Sequence, residues 1–225
     1  MPDPDEDKRR RFILAHAELK SPPLIPEITL YLAGDVMNLW TATKALDAAR
    51  AAALEDLPPP YWAFAWPGGQ ALARYLLDTP SEVAGKRLLD FGSGSGLVAI
   101  AAAKAGAAHV RAAEIDPLAR TAMTINAAAN GVSFEIVPQD IIGSESAWDT
   151  ILVGDMCYEQ PLANRLTQWL HKLAADGARI LIGDPGRAYV PANVMSPLAN
   201  YAVPTSRDLE DREIRDTTVY RFSPV

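Results

Sequence analysis

The chain has 225 residues, 49% of them hydrophobic and 22% charged, with a net charge of −7 at pH 7. That suits one globular domain with a sizeable core. No stretch approaches the roughly 18 apolar residues of a membrane span, and an acidic balance speaks against a general nucleic-acid binder, which carries a basic face. A single cysteine, Cys157, rules out an internal disulfide. Three scattered histidines (His16, His109, His171) with no Cys/His cluster argue against a metal site.

The first 24 residues begin acidic (Asp3, Asp5, Glu6, Asp7), turn basic (Lys8, Arg9, Arg10, Arg11) and end at Pro22-Pro23. They read as a solvated arm, frayed or helical around 11–19. No apolar stretch follows the basic run, so no secretory signal is expected; transit peptides are poor in acidic residues and this segment is not, so a cytoplasmic location is expected. Residues 25–33 read as extended. Residues 40–54 are rich in alanine and lack Gly and Pro, which predicts a helix. Pro58-Pro59-Pro60 then breaks the chain. Residues 1–60 are thus expected to form an arm and helical extension, and residues 61–225 the main domain.

That domain opens on Tyr61, Trp62, Phe64 and Trp66, and Pro67-Gly68-Gly69 leads into a helix over 70–77. Strands are predicted at 87–91, 109–115, 132–137, 150–154 and 179–183, with helices at 96–105, 117–129 and 162–174 between them. This alternation predicts an α/β fold, a mostly parallel sheet with helices on both faces. Two further strands, 201–206 and 216–222, are joined by a charged loop with no room for a crossover helix, so an antiparallel pair is expected at the sheet end.

The most informative stretch is Asp90-Phe91-Gly92-Ser93-Gly94-Ser95-Gly96, after the first strand of the alternating series. Glycines there let backbone approach a ligand and permit positive φ. Two cofactor classes meet the pattern. A nicotinamide dinucleotide site is matched by Gly94, Gly96 and Ala99 with an acid about 20 residues on, Glu114. S-adenosylmethionine is the other. Asp90, at the ligand-facing strand end, would repel a pyrophosphate but suits a ligand carrying a sulfonium and an ammonium. The antiparallel tail also departs from a full dinucleotide fold, and both features favour the methyl donor.

The order of elements, Asp90-x-Gly92-x-Gly94-x-Gly96 and the acid of the second strand resemble the seven-stranded class of methyltransferases over about residues 60–225. The resemblance implies that Asp90, Gly92, Ser93, Gly94 and Gly96 serve the donor's amino-acid part. It also implies that Glu114, with Ile115 beside it, takes the ribose, and that Asp140 lies near the adenine. Asp140 as a helix N-cap is the alternative. Asp155-Met156-Cys157-Tyr158 is similar to the D-x-x-Y signature of a subgroup that mostly methylates protein lysines. With Tyr61-Trp62-Ala63-Phe64-Ala65-Trp66-Pro67-Gly68-Gly69-Gln70 it resembles the lysine methyltransferases of the electron transfer flavoprotein β-subunit, which would then be the partner. The first 24 residues contribute nothing to this match.

Methyl transfer to nitrogen is a one-step, in-line displacement, so the enzyme chiefly aligns a neutral amine. Asp155 and Tyr158 are therefore the candidate catalytic and substrate-binding pair, acting by positioning more than as a general base. A capped turn with Tyr158 in the core is the alternative. Trp62 and Trp66, four residues apart, share a face if helical. They would form a lid, Trp62 at the donor and Trp66 at the lysine channel, or else pack in the core. Cys157 reads as a bystander, and Asp184-Pro185-Gly186-Arg187 reads more readily as a plain turn than as a substrate edge. Rival readings are transfer to another protein (such as a ribosomal protein) or to a small-molecule amine, and an inactive donor-binding module.

Overall fold

The computed structural model describes residues 5–49, 59–145 and 148–223. The N-terminal part comprises α1 (Glu6–His16), β1 (Ala17–Lys20), β2 (Leu30–Ala33) and α2 (Val36–Ala49). After the 3₁₀ turn Tyr61–Ala63 come α3 (Pro67–Asp78), β3 (Arg87–Phe91), α4 (Leu97–Lys104), β4 (His109–Ala113), α5 (Pro117–Ala129) and β5 (Glu135–Val137). The chain ends with β6 (Thr150–Gly154), α6 (Gln160–Ala175), β7 (Arg179–Asp184), β8 (Met195–Pro204), α7 (Arg207–Glu210) and β9 (Ile214–Phe222).

Seven strands form one sheet in the order β5-β4-β3-β6-β7-β9-β8. The first five are mutually parallel, and β9 enters antiparallel between β7 and β8. This is the α/β sheet with an antiparallel C-terminal pair that the alternation predicts. Its parallel centre is apolar along its length, as a sheet covered on both faces must be: Leu88, Leu89, Ile151, Leu152, Val153, Leu181 and Ile182 are all buried. Pro197 sits at a register shift in the edge strand β8, a position that needs no ladder N–H. The short helix α7 interrupts the charged loop 207–215, so that segment is not wholly irregular.

At the other end of the strands, α3 meets the sheet without side chains between them. A Cβ on Gly183 would lie 2.1 Å from the carbonyl oxygen of Gly68, and one on Gly154 3.1 Å from Cα of Gly69. These glycines let the first turn of α3 rest directly on the carboxyl ends of β6 and β7.

Several boundaries differ from those expected. The N-terminal helix starts at Glu6 and stops at His16, because Ala17–Lys20 pairs antiparallel with Leu30–Ala33. Residues 25–29 are turns rather than extended chain. Helix α2 begins at Val36, earlier than expected; residues 50–54 of the expected helix, and Pro58, lie outside the described residues. Strand β5 is shorter than 132–137, since Val132 N–H donates back to Ala127 O and finishes the turn after α5.

The arm is solvated along most of its length but docked through a few side chains. Ile13 is fully buried in a cluster with Leu39, Trp62, Phe64, Leu118 and Ile125. Buried Arg9 donates from Nε to Thr121 Oγ1 at 3.1 Å. Asn126 and Asn130 on α5 accept from Tyr31 N–H at 2.8 Å and Thr29 N–H at 3.1 Å. Among the described residues, no helix is long and apolar enough to cross a membrane.

Docking of the arm has a measurable consequence. Ile13→Ala leaves a cavity in that shared cluster, so it should lower the unfolding free energy by about 2–4 kcal/mol. Denaturant unfolding followed by tryptophan fluorescence checks this; an arm lying free in solvent would give no change.

Candidate active site

The glycine loop leaves β3 and turns into α4. Gly92, Gly94 and Gly96 all have positive φ (66°, 54° and 83°). At Gly92 the space is also taken: a Cβ would lie 2.3 Å from Met156 Sδ. Asp90 is 1% exposed and is not among the residues lining the cleft described below. Its Oδ2 accepts from Ser93 Oγ at 2.5 Å and from Ala99 N–H at 3.0 Å. It ties the loop to the first turn of α4 from beneath, and burial pushes its pKa up to about 7 against those two donors. The electrostatic argument that used Asp90 against a pyrophosphate therefore fails at this residue, because its carboxylate points into the protein. Ser93 and Gly96 likewise belong to the loop's frame and not to the cleft wall. Asn126, fully buried, donates from Nδ2 to Ser95 O at 2.8 Å and so fastens the loop's other side.

A cleft of about 430 Å³ opens at the carboxyl ends of β3, β4 and β6, at the reversal of strand order where ligands of open α/β sheets bind. Gly92, Gly94, Glu114, Ile115 and Asp140 line one part of it. Glu114 accepts from Gly94 N–H at Oε2 and from Asp116 N–H at Oε1, each 2.9 Å, so it links the glycine loop to the strand beside it. Ile115 is 65% exposed, an apolar surface at the cleft rim. Asp116 caps α5 by accepting from Leu118 N–H at 2.8 Å, and burial raises its pKa to about 6. Asp140 caps no helix. It accepts from Ile142 N–H at 3.0 Å within a turn and from Arg165 at 2.5 Å, and this ion pair holds its pKa below the ordinary carboxylate range.

On the opposite wall Asp155 follows β6 with φ of 59°, a left-handed conformation unusual for a residue with a side chain. Its amide donates to Gly183 O at 3.0 Å. Its Oδ2 accepts from Gly68 N–H, at the positive end of α3, at 2.5 Å, and its Oδ1 from Arg187 Nε at 2.6 Å. Burial outweighs these partners and raises its pKa to about 6. Arg187 in turn grips Glu210 of α7 with both terminal nitrogens. Asp155 caps no helix, and Tyr158 is 43% exposed with its ring 5.7 Å from Tyr61, so the capped-turn alternative does not describe this segment. Cys157 is buried with its pKa pushed up to about 12 by burial, which makes it a poor nucleophile.

Trp62 and Trp66 both line the cleft, but not from one helical face. Trp62 lies in the 3₁₀ turn and is 1% exposed, while Trp66 has extended backbone (φ −63°, ψ 146°) and caps α3. Trp66 Nε1 donates to Tyr61 O at 2.8 Å, and the Arg187 guanidinium lies 5.9 Å from its ring. Sequence reasoning missed Arg187 and Glu210 as members of the site. Arg187 had one visible signal, its place after the fifth parallel strand. Glu210 had none, being one acid in a charged run.

The family model described as ribosomal protein L11 methyltransferase (PrmA) matches residues 71–184. Electron transfer flavoprotein beta subunit lysine methyltransferase of Xenopus laevis is 40% identical over 222 residues, 96% of this chain and 87% of the relative. That of Homo sapiens is 39% identical over 226 residues, covering 96% and 82%. Alignments over 96% of the chain reach into its first 24 residues, where the sequence reading found no likeness. Among solved structures, magnesium protoporphyrin IX methyltransferase from Synechocystis with bound SAM shares the fold, with a TM-score of 0.51 and 16% identity over 69% of this chain and 79% of that one. The chain belongs to the electron transfer flavoprotein beta subunit lysine methyltransferase family.

Proposed function

We propose that this S-adenosylmethionine-dependent methyltransferase methylates lysine side chains of a protein, in first place the electron transfer flavoprotein β-subunit named in its relatives. The observation that carries the reading is that Glu114 and the glycine loop line the same cleft as Asp155 and Tyr158.

The cleft fits a cationic donor. Its walls carry Glu114, Asp116, Asp140 and Asp155 against Arg165 and Arg187, which pair with Asp140 and Asp155, so the lining holds two more acids than cations. An acid-rich wall favours a sulfonium and disfavours a pyrophosphate, which restores on other residues the argument lost at Asp90. When bound, the donor supplies an activated methyl group with a good leaving group. The protein then has to hold donor and amine in line. Glu114, fixed by two backbone donors, presents its remaining lone pairs toward the ribose, and Ile115 gives the adenine an apolar face. Asp140 and the donor loop complete that side.

Asp155 has two further lone-pair positions beyond those used by Gly68 and Arg187. One of them orients the lysine nitrogen. Tyr158 and Trp66 flank the aminoalkyl chain, and with its pKa raised to about 12 Tyr158 keeps its hydroxyl proton and acts as donor or spacer rather than as base. The lysine proton leaves to water before attack, because a lysine of ordinary pKa, about 10.4, arrives protonated.

Labelled donor incubated with purified electron transfer flavoprotein β-subunit should put label on the protein at lysine; label confined to small molecules would turn the assignment to the small-amine reading. Glu114→Ala should weaken donor affinity by about 10- to 100-fold, the loss of hydrogen bonds to a charged group, as read by calorimetry. Unaltered affinity would remove Glu114 from the donor site. Asp155→Asn, which keeps the shape that alanine would remove from beside Arg187, should lower kcat by about 100-fold or more while donor affinity holds. Full turnover in that variant would end the lysine-side assignment.

A further inference from the structure

The Asp155 carboxylate is not a free anion awaiting an ammonium: it is already paired. Arg187 Nε lies 2.6 Å from Oδ1, and the guanidinium is held from every side. Glu210 takes both of its terminal nitrogens, Arg215 Nε stands 3.6 Å from Glu210, and the Trp66 ring faces it at 5.9 Å. Its backbone is fixed as well: Arg187 N–H donates to Asp184 Oδ1 at 2.7 Å. Moving Arg187 away would strand a guanidinium that is 19% exposed beside a Glu210 side chain that is 3% exposed. That cost falls on buried, partnered charges, and an incoming lysine replaces only one of the contacts.

We propose that Arg187 is a positioning residue for the transfer: it stays on Asp155 when substrate enters, cancels the aspartate's charge, and so keeps Asp155 from trapping the target lysine as an ammonium before attack. The inference rests on the lysine reading of the site. The charges around the pair support it. Asp155 and Glu210 contribute two negative charges, Arg187 and Arg215 two positive ones. Asp184, buried next to them, has its pKa raised by burial. Cys157 and Tyr158, on Asp155's own segment, both have pKa values raised to about 12 and stay neutral. On the α3 side the facing group is the Gly68 amide, a partial positive charge. With Asp184 and, across the cleft, Glu114 counted, the acids outnumber the two cations, and the guanidinium fixed on Asp155 is the positive charge that offsets the aspartate itself. A neighbouring cation disfavours a second one, so the bound amine loses its proton to water more readily than it would beside an unpaired Asp155. Its lone pair then forms the new N–C bond, while the C–S bond breaks with its electrons passing to sulfur.

The test is the pH profile of kcat with saturating donor and the electron transfer flavoprotein β-subunit, for the wild type, Arg187→Gln and Arg187→Lys. Donor affinity and thermal unfolding serve as fold checks. With Arg187→Gln the acid limb should move up by about one pH unit or more, so turnover drops about tenfold near neutrality and recovers toward the wild-type rate at alkaline pH. Arg187→Lys keeps a cation and should keep the limb near its wild-type position. A loss in Arg187→Gln that is equal at every pH, or an unmoved limb, overturns the proposal while leaving lysine transfer intact. Absence of protein-lysine transfer by the wild type instead overturns the reading on which it rests. If Arg187→Gln fails to bind donor, Glu210→Gln, which removes a negative charge and leaves both guanidinium groups, must move the limb down; an unmoved limb there overturns the proposal equally.

Discussion

The amide of Gly68 donates to Asp155 Oδ2 at 2.5 Å, and much of the site's geometry follows from that contact. It exists because α3 approaches β6 and β7 through glycines: a Cβ on Gly68 would lie 2.2 Å from Gly183 O and 2.8 Å from Asp155 N. With the helix end this close, its unpaired N–H groups and dipole face the strand ends, and a carboxylate is the natural partner. The left-handed φ of Asp155 is then over-determined, since its own amide is also bound to Gly183 O. The same approach sets Trp66, the residue capping α3, beside Arg187. One packing decision between a helix and two strands thus places the carboxylate, the guanidinium and an aromatic wall together.

The other half of the cleft is organised by a different device, a glycine loop held from two sides. Asp90 grips it from beneath through Ser93 and Ala99, and Asn126 grips Ser95 from α5. Asn126 also accepts from Tyr31 of β2, so one fully buried amide joins the N-terminal extension to the glycine loop. Trp62 makes a second link, lining the cleft while packing in the cluster that holds Ile13. The extension therefore backs the glycine-loop side of the cleft. Its removal would reach the loop through these two residues.

What the sequence made legible was whatever depends on local pattern. Strands 87–91 and 150–154 are apolar runs buried on both faces, and α5 is announced by Asp116-Pro117 and closed by Asn130-Gly131, so their limits could be read directly. Strand β1, Ala-Glu-Leu-Lys, carries no such pattern; it is a strand only because Leu30–Ala33 lies alongside. At the site, Asp155-x-x-Tyr158 and Glu114 were visible as residues at strand ends. Asp90 was visible too, yet its position in a strand says nothing about which way the carboxylate turns. Arg187 and Glu210 were not legible as a pair. They are 23 residues apart, each sits in an ordinary turn or charged run, and their value arises only from burial next to Asp155.

Three carboxylates around the cleft, Asp90, Asp116 and Asp155, have pKa values raised by burial to between about 6 and about 7, a pattern that on its face suggests acid–base chemistry. Their hydrogen bonds argue otherwise. Each accepts from backbone N–H groups at the start of a helix: Asp90 from α4, Asp116 from α5, Asp155 from α3. They fasten three helix ends to one sheet edge, and burial is what makes them effective fasteners and raises their pKa together. Methyl transfer to an amine tolerates this arrangement because it asks for no proton at the reacting carbon, only a neutral nucleophile held in line. A site can then use its carboxylates for geometry, provided the one nearest the nucleophile is kept from trapping it as an ammonium, and at Asp155 the group in position to prevent that is Arg187.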